Sequence, residues 1–394
     1  MKIHTKTSYY MDLAIYHAWI HCKGGGEKVL LKLLENSEHD ITVYTNKYVP
    51  EDTYDEFEDH DVVELGGLPI IGEIFRGATF TLGAMLTRLP MHKHDALVVS
   101  TGGVAEVINY RNHSKPLIGF CHTPLRPVHD EDIYRHKIQN SGFFKRNFYR
   151  IATRVYEMIE RPAWKRFDHV VFNSRTTQER ATSDKLIHMD KTSINHPGAD
   201  TSDNSGNRYD KYFFYPSRFA YYKRQDLALD AYEKFRENNP DTEFELMIAG
   251  GVNEEKQEYF EEIQERAEEI EGVTVKSDVP GDEWEDLYRN CYATLFCAIN
   301  EDWGITPIES GSYEKPIISV NEGGPTESVL HEETGLLVDD TEEMAEAMQK
   351  LAEDEELAKK MGEKGKKRSK EYTWDRFVQK FDEKVSEVVE EEQG

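Results

Sequence analysis

The feature that most constrains the fold is a repeated order of short apolar runs, turns and helical patterns. The run "DLAIYHAW" is followed by "GGGEKVLLKLLE", a turn that opens a helix. The runs "DALVVSTGG", "KPLIGFCH" and "DHVVFNS" end in a polar or glycine turn in the same way. Alternation of this kind predicts parallel sheets that are covered by crossover helices, which is an α/β fold.

A polar stretch at 198–211, "GADTSDNSGNRYDK", divides this alternation into two halves. Beyond it lie five further strand candidates: "YFFYPSR", "FELMIAGG", "GVTVKS", "ATLFCAI" and "PIISVNEGG". A chain of 394 residues is also long for a single core. We therefore predict two doubly wound domains, 1–200 and 201–372, and a C-terminal helix at 373–394 that packs back towards the first domain.

The charge balance disfavours one class of partner. The chain has 75 acidic and 48 basic residues, a net charge of −27. Such a surface repels nucleic acid, because binding to nucleic acid depends on cations at the phosphates. No apolar run is long enough to span a bilayer, and the N-terminus lacks the apolar centre of a secretory signal, so we expect a cytoplasmic protein.

The four cysteines lack the paired spacing of a zinc site. Cys22, Cys121, Cys291 and Cys297 each fall within or beside an apolar run. We therefore interpret them as reduced packing residues rather than as metal ligands or nucleophiles.

Two carboxylates follow the predicted strand "ATLFCAI". Glu301 falls in the turn from Asn300 to Gly304, and Glu309 falls in the helix that follows this turn. A helix N-terminus suits a phosphate, and ionised carboxylates accept hydrogen bonds from hydroxyl groups. Phosphate and hydroxyls together describe a sugar nucleotide. Taken alone, however, the pair is better explained as two surface residues of an acidic chain.

Two cations are expected at the same sheet edge, because ligands of such sheets bind at the carboxyl ends of the strands. Arg218 stands just after a predicted strand, and Lys223 stands at the start of the next helix. Two cations can neutralise a leaving diphosphate without a metal ion, so we expect no metal site. Each residue alone is better explained by a structural ion pair, but together with the two glutamates they favour the functional interpretation.

The order and spacing of these motifs resemble the retaining glycosyltransferases of family 4, which have the GT-B fold. In the C-terminal half the resemblance rests on the two cations, "LMIAGG", the Glu301-x7-Glu309 pair, "NEGGPTE" and "TGLLV". In the N-terminal half it rests on "GGGEKVLL", "FCHTP", "VVFNS" and "HPGAD". The resemblance implies two Rossmann-like domains that face a central cleft, an acceptor-side domain first and a nucleotide-sugar-binding domain second.

The resemblance also implies a role for each matching residue. Glu309 would hold the ribose hydroxyls of the nucleotide, and Glu301 would hold the hydroxyls of the transferred sugar. Arg218 and Lys223 would hold the diphosphate. His122 would face the sugar, although a satisfied core histidine is the better explanation of this residue when it is considered alone. Backbone contacts to the donor are expected at Gly24, Gly25, Gly26, Gly304 and Ile305.

The implied reaction transfers a glycosyl group from a nucleoside diphosphate to an acceptor hydroxyl, with retention at the anomeric carbon. The stretches "YKRQDLALDAY" and "CHTPLRPVHD" resemble the mannosyltransferase branch, which favours GDP-mannose as the donor. Two alternatives stay open. The chain could be another sugar-nucleotide enzyme on the same fold, an epimerase or a phosphorylase-like protein, or a sugar-nucleotide-binding protein without catalysis.

Two segments of the first half bear on the acceptor. Residues 143–167 hold seven basic and two acidic residues with interleaved aromatics. Residues 70–89 place an apolar set on one helical face: Ile71, Ile74, Phe75, Ala78, Leu82, Met85 and Leu86. Such segments suit a membrane surface, in which case the acceptor is a polyisoprenyl-linked glycan and the protein works at the cytoplasmic face. They are equally consistent with packed helices and a glycan acceptor in solution.

Overall fold

The chain forms two compact units. Unit 1 comprises Met1–Pro197 and Trp374–Gly394, and unit 2 comprises Gly198–Thr373. The computed structural model describes residues 10–66, 72–139, 142–200, 208–253 and 256–393. Residues 201–207, which are part of the polar stretch expected at the domain boundary, lie outside the residues that the structure describes.

Unit 1 is built on parallel strands. Its strands are β1 Asp12–His17, β2 Trp19–Ile20, β3 Asp40–Thr45, β4 Lys47–Tyr48, β5 Val62–Glu64, β6 Ala96–Thr101, β7 Leu117–Cys121, β8 His169–Phe172 and β9 Thr192–Ile194. Seven of them form one sheet in the order β5-β3-β1-β6-β7-β8-β9, and each neighbouring pair is parallel. The short strands β2 and β4 pair separately.

Unit 2 repeats the architecture with six strands. They are β10 Tyr212–Pro216, β11 Glu245–Gly250, β12 Val273–Ser277, β13 Ala293–Phe296, β14 Ile317–Val320 and β15 Gly335–Val338. Their order is β12-β11-β10-β13-β14-β15, and each pair is parallel. Each of the nine predicted strand candidates contains one of the observed strands, and the predicted α/β fold of Rossmann-like domains is confirmed.

Helices alternate with the strands along most of the chain. The α-helices are α1 Gly25–Asn36, α2 Gly72–Leu86, α3 Arg126–His129, α4 Glu131–Gln139, α5 Phe143–Trp164, α6 Arg175–Ser183, α7 Gln225–Asn238, α8 Gln257–Glu268, α9 Gly281–Asn290, α10 Thr306–Ser312, α11 Pro325–Ser328, α12 Thr341–Glu353, α13 Glu355–Ser369 and α14 Trp374–Gln393. Short 3-10 helices lie at Pro50–Asp52, Asp55–Asp59, Met91–Lys93, Ala105–Tyr110, Met189–Lys191 and Tyr221–Lys223. Within the described ranges, no helix combines the length and the apolar character needed to cross a bilayer.

The core of unit 1 lies in two layers, one on each face of its sheet. Leu13 and Ile15 of β1 share a buried cluster with α1 and α14. Ala14, which lies between them, and Tyr16 face the opposite side of the sheet and share a second cluster with Trp164 of α5. Side chains alternate between the faces of a strand, so buried strands covered on both faces read as continuous apolar runs. This explains why these strands were recognisable from the sequence.

Candidate active site

The residues of unit 2 that are predicted to bind the sugar nucleotide lie beyond the carboxyl ends of two neighbouring strands. β10 leads into the segment with Arg218 and Lys223, and β13 leads into the turn with Glu301. These strands are parallel neighbours, so the two segments leave the sheet at the same edge. A backbone bond joins them, because the N–H of Ile299 donates to the carbonyl of Tyr222 at 2.8 Å.

Lys223 and Glu301 are in direct contact. Nζ of the lysine lies 2.8 Å from Oε2 of the glutamate, and the two side chains are only 13% and 21% exposed. The ammonium group also lies 5.7 Å from the centroid of the Phe296 ring. A charge-assisted hydrogen bond is stronger than a neutral one. The sequence predicts separate roles for these residues, whereas the structure joins them, so that a ligand of Lys223 also meets the Glu301 carboxylate.

Arg218 is the exposed cation of this edge. Its backbone is held in place, because the Gln225 side chain donates to the Arg218 carbonyl at 2.9 Å and the preceding Ser217 N–H donates to Ala249 at 2.9 Å. Its guanidinium forms no ion pair with any residue that the structure describes. The group is therefore available to an anionic ligand.

Two glycines allow the Glu301 turn to lie close to the next loop. Gly323 has φ +68°, and a Cβ there would lie 2.5 Å from the Glu301 carbonyl oxygen. A Cβ at Gly324 would lie 2.1 Å from the Trp303 carbonyl oxygen. The N–H of Gly324 donates to the Glu301 carbonyl at 2.7 Å. The glycine pair of "NEGGPTE" is therefore required by this close backbone approach, which fixes the position of Glu301.

A second ion pair supports the same turn. The guanidinium of Arg224 contacts the Glu322 carboxylate, and its Nε donates to the Cys297 carbonyl at 2.6 Å. Glu322 also accepts a hydrogen bond from the backbone N–H of Asn300 at 3.3 Å. Arg224 and Glu322 thus connect the β10 segment to the loops after β13 and β14.

Glu309 is oriented by a buried tyrosine. It lies in the first turn of α10, and the Tyr288 hydroxyl donates to its Oε2 at 2.8 Å. Burial and then the charge of Glu309 raise the pKa of Tyr288 far above its ordinary value, so the tyrosine stays a donor. α10, which starts just after Gly304 and Ile305, has only seven residues. Its dipole is therefore a weaker anion site than that of a longer helix.

In unit 1, His122 lies beside the start of α1. It follows β7 directly, and a Cβ on Gly26 would lie 3.8 Å from its Nε2. A Cβ on Gly25 would meet no atom within 4 Å. Packing within the protein therefore does not require glycine at these two positions, which is consistent with a ligand that approaches the backbone. A Cβ on Gly24 would lie 2.5 Å from Oε2 of the buried Glu27 side chain, so packing does favour glycine at this position.

His122 belongs to a row of hydrogen-bonded side chains. The Ser100 hydroxyl lies 2.9 Å from Nε2 of His122 and 2.8 Å from Nδ1 of His17. Burial, followed by the neighbouring His17, lowers the pKa of His122 to about 3, so its ring is neutral near pH 7. The prediction of a role for His122 therefore concerns a neutral hydrogen-bonding group, not a cation.

Five residues that shape these sites were not predicted: His17, Ser100, Arg224, Tyr288 and Glu322. His17 and Ser100 lie at the carboxyl ends of β1 and β6, and the rule that ligands bind at strand ends could have singled them out. Tyr288 and Glu322 act through contacts with residues distant in sequence or with loop backbone, for which the sequence carries no signal.

One group in the described part of the chain has the chemistry of a metal site. Ligand atoms of His21, Cys22 and Glu27 all lie within 4.8 Å of one another. The Cys22 thiol donates to the Glu27 carboxylate at 3.1 Å, so these two groups already satisfy each other. Cys121, Cys291 and Cys297 are buried as expected, but Cys22 is only partly buried. Cys22, which lies in the turn before α1, is a reduced cysteine as predicted but is not a core residue.

Acidic pairs with Asp-x-Asp spacing occur only away from the unit 2 site. Asp59 and Asp61 are exposed in unit 1. The other pair is Asp130 and Asp132. The Asp130 carboxylate contacts the guanidinium of Arg126 at 2.8 Å and that of Arg180 at 3.5 Å. Neither pair accompanies the residues that we expect to hold a diphosphate.

Two domain families match the chain in succession. Residues 24–203 match the sequence model described as Glycosyltransferase Family 4. Residues 200–368 match the model described as Glycosyl transferases group 1. The first match covers most of unit 1 and the second covers most of unit 2.

Mannosyltransferases are among the curated relatives. The protein named alpha-1,3/1,6-mannosyltransferase ALG2 of Mus musculus is 30% identical over 184 residues, which is 44% of each chain. Its Dictyostelium discoideum counterpart is 33% identical over 172 residues, 40% of this chain and 41% of that protein. The chain thus aligns with less than half the length of these relatives. The alg-2 protein of Neurospora crassa is 26% identical over 426 aligned positions, 93% of this chain and 88% of that one.

Solved structures share the fold at low sequence identity. Sucrose-phosphate synthase of Thermosynechococcus elongatus has a TM-score of 0.72 and 15% identity, over 96% of this chain and 98% of that one. HepE of Anabaena, solved in complex with UDP and glucose, has a TM-score of 0.69 and 17% identity. The match covers 96% of this chain and 100% of that one. With its two successive domain matches, the chain belongs to the GT-B glycosyltransferases that join a family 4 domain to a group 1 domain.

Proposed function

We propose that the protein transfers a mannosyl group from GDP-mannose to a glycan acceptor, with retention at the anomeric carbon. The observation that carries the proposal is the Lys223–Glu301 ion pair beside the exposed Arg218 at one sheet edge. The group combines cations for a diphosphate with a carboxylate for sugar hydroxyls. The mannosyltransferase name of relatives that align over most of the chain supports mannose. The epimerase and the phosphorylase-like alternatives are not favoured.

In the proposed reaction, the bond between the anomeric carbon and the phosphate oxygen breaks. The bond to the acceptor oxygen forms on the same face of the sugar, and the acceptor proton passes to an oxygen of the leaving phosphate. Arg218 and Lys223 offset the negative charge that develops on the diphosphate. Glu301 accepts hydrogen bonds from the sugar, and Glu309 accepts them from the ribose, so neither serves as an enzymic nucleophile.

We assign the remaining predicted residues to ligand binding as well. The backbone at Gly304 and Ile305 binds the nucleotide. Gly24, Gly25 and Gly26 allow the phosphates to approach the start of α1, and His122 contacts the transferred sugar as a neutral imidazole. No metal ion has a part in this scheme, because the two cations supply the positive charge.

The double variant Arg218→Ala, Lys223→Ala tests the proposed diphosphate site. We expect it to lose transfer and to remain folded, because each lost charged hydrogen bond costs about 1.5–3 kcal/mol of binding free energy. Lys276→Ala is the matched control, since this lysine forms a 2.6 Å ion pair with Glu283 elsewhere in unit 2. Transfer from GDP-mannose at the wild-type rate by the double variant would show that the diphosphate assignment is wrong.

For the acceptor, the supporting observation is an apolar stripe on α5. Five apolar side chains, spaced alternately four and three residues apart, are exposed to between 42% and 87%: Phe144, Phe148, Ile151, Val155 and Met158. On the other side of the helix, Tyr156, Glu160, Ala163 and Trp164 are buried. A stripe with this spacing occupies one face of a helix, and here that face is exposed within unit 1. The stripe itself is therefore not packed into the core of unit 1.

The same helix carries the basic residues Lys145, Arg146, Arg150 and Arg154. We propose that this surface, the α5 face, docks on an anionic bilayer, where apolar side chains enter the interface and cations meet the lipid headgroups. α2 contributes Leu82 and Leu86, which are 50% and 55% exposed. The predicted single face of α2 was only partly right, because Met85 packs against the core. Of the other predicted members, Ile71 lies outside the described residues, and the side chains of Ile74, Phe75 and Ala78 are not described.

A docked enzyme can reach an acceptor held in the membrane. We therefore propose a polyisoprenyl-linked glycan as the acceptor and the cytoplasmic leaflet, which is rich in anionic lipids, as the place of action.

A further inference from the structure

Three side chains that can bind a metal ion converge at the turn before α1. Ligand atoms of His21, Cys22 and Glu27 all lie within 4.8 Å of one another, and the Cys22 thiol lies 3.1 Å from Oε1 of Glu27. In tetrahedral zinc sites the ion lies about 2.0–2.3 Å from its nitrogen, oxygen and sulfur ligands, so two ligands of one ion are about 3–4 Å apart. Small side-chain rotations would therefore bring the three groups to the distances that one zinc ion requires.

Gly24 allows the carboxylate and the thiol to approach each other. A Cβ on Gly24 would lie 2.5 Å from Oε2 of Glu27 and 3.2 Å from Sγ of Cys22. The backbone at Gly24 is extended, with φ −103° and ψ 170°, so its conformation is open to any residue. Glycine is therefore favoured here by the space between the two ligand groups and not by the backbone. A side chain at this position would occupy the space into which the ligand groups converge.

The three ligand side chains are held from different directions. Glu27 is buried in the first turn of α1. The Thr53 hydroxyl donates to the Cys22 carbonyl at 3.1 Å, which fixes the backbone of the turn. The His21 ring lies edge-on to the Trp19 ring, with 6.3 Å between the centroids. His21 is exposed and Cys22 is partly buried, so an ion can reach the cluster from solvent.

The ligand types indicate which ion the cluster would bind. Imidazole nitrogen, thiolate sulfur and carboxylate oxygen are the ligands of Zn²⁺, whereas Mg²⁺ and Ca²⁺ prefer oxygen ligands alone. Three protein ligands leave one position of a tetrahedron for water. The net charge of −27 also favours cations near the surface of the chain.

We propose that His21, Cys22 and Glu27 bind one Zn²⁺ ion, with water as the fourth ligand. On binding, the Cys22 thiol loses its proton to solvent, and the bond from zinc to sulfur replaces the hydrogen bond from the thiol to Glu27. The ion then joins the turn after β2 to the first turn of α1. This inference does not rest on the proposed function, in which Arg218 and Lys223 neutralise the diphosphate.

Titration with Zn²⁺ in competition with a chromophoric chelator measures the binding. The full chain is first freed of metal by chelation and dialysis. We expect one Zn²⁺ per wild-type chain. Cys22→Ser and His21→Ala should each weaken binding at least about tenfold, because even changes outside the ligand set cost about 10–100-fold in affinity. His92→Ala, which removes an exposed histidine elsewhere in unit 1, is the matched control and should bind as the wild type does.

Co²⁺ in place of Zn²⁺ identifies the sulfur ligand by absorption. We expect the wild type with Co²⁺ to show a near-ultraviolet band from charge transfer between thiolate and metal, and we expect Cys22→Ser to lack this band. A wild type without the band would overturn the inference without any variant. So would wild-type zinc affinity in Cys22→Ser or His21→Ala, or an equal loss of affinity in His92→Ala. If the wild type turns over no nucleotide sugar, the proposed function fails and the metal titration still decides the zinc site.

Discussion

At the scale of single residues, Glu309 depends on a neighbour that the sequence does not reveal. Tyr288 donates to its carboxylate from a buried position. We predict that Tyr288→Phe frees the carboxylate to rotate and weakens GDP binding about threefold to tenfold, the effect of one neutral hydrogen bond. Glu309→Ala should weaken it further, because the ribose contact itself is lost. Isothermal calorimetry with GDP measures both effects.

The control for this pair is Tyr292→Phe. Tyr292 is also a buried tyrosine of unit 2, and its hydroxyl donates at 2.6 Å to the Leu351 carbonyl, not to Glu309. Unchanged GDP affinity in Tyr288→Phe, or an equal loss in Tyr292→Phe, would remove Glu309 from the nucleotide site.

At the scale of elements, α5 is held to unit 1 by a buried carboxyl group. The Tyr156 hydroxyl contacts Glu106, which also accepts from the Thr101 hydroxyl at 3.0 Å. Burial raises the pKa of Glu106 from 4.5 to about 7, despite the hydrogen bond from Tyr156. This shift corresponds to a free energy on the order of 3 kcal/mol.

The sign of the pH dependence follows from this raised pKa. Between pH 4.5 and 7 the unfolded chain loses the Glu106 proton before the folded protein does, so rising pH lowers the free energy of unfolding. Glu106→Gln removes this dependence and keeps an acceptor for Tyr156. We predict that the difference in Tm between this variant and the wild type rises in favour of the variant from pH 4.5 to 7. Above pH 7 the difference should be constant. A difference in Tm that does not change with pH would contradict the prediction that Glu106 is protonated in the folded protein below about pH 7.

We predict that the α5 face binds anionic vesicles and that substitutions on α5 weaken this binding. The triple variant Arg146→Glu, Arg150→Glu, Arg154→Glu should lose binding to phosphatidylserine vesicles, since each basic residue near the surface contributes about 1 kcal/mol. The loss should be larger at low salt, because salt screens these charges. Phe144→Ser with Met158→Ser should lose binding at both salt concentrations. Vesicle sedimentation measures these losses.

Met189→Ser is the control for the apolar pair. Met189 is 55% exposed in unit 1 but lies outside α5. If the α5 variants bind anionic vesicles as well as the wild type does, the exposed stripe is not a bilayer surface. Binding that is lost equally in Met189→Ser would lead to the same conclusion.

At the scale of the whole molecule, the sequence predicts what depends on order along the chain and misses what depends on the order of strands in the sheet. Glu301, Glu309, Arg218 and Lys223 follow predicted strands, so their sheet edge could be predicted. The contact of His17 with Ser100 exists because β1 and β6 are neighbours in the sheet, although β3 and β5 lie between them in the chain. The order of the strands along the chain does not determine that neighbourhood.

The direction in which a helix faces is also a property of the whole unit. Spacing alone predicts an amphipathic α5 but does not tell a core face from an exposed one. Only the packing of Tyr156, Ala163 and Trp164 into unit 1 leaves the apolar stripe exposed. On a chain with a net charge of −27, the basic flank of α5 would then orient the molecule on an anionic surface.

The most direct test of the central claim is proton NMR of GDP-mannose turned over by the wild type in the presence of EDTA. We predict release of GDP with the α-anomer of the mannosyl product formed first, because transfer retains the anomeric configuration. EDTA should have no effect, since Arg218 and Lys223 supply the positive charge at the diphosphate. First appearance of the β-anomer, or complete loss of turnover in EDTA with recovery on addition of Mg²⁺ or Mn²⁺, would contradict this account.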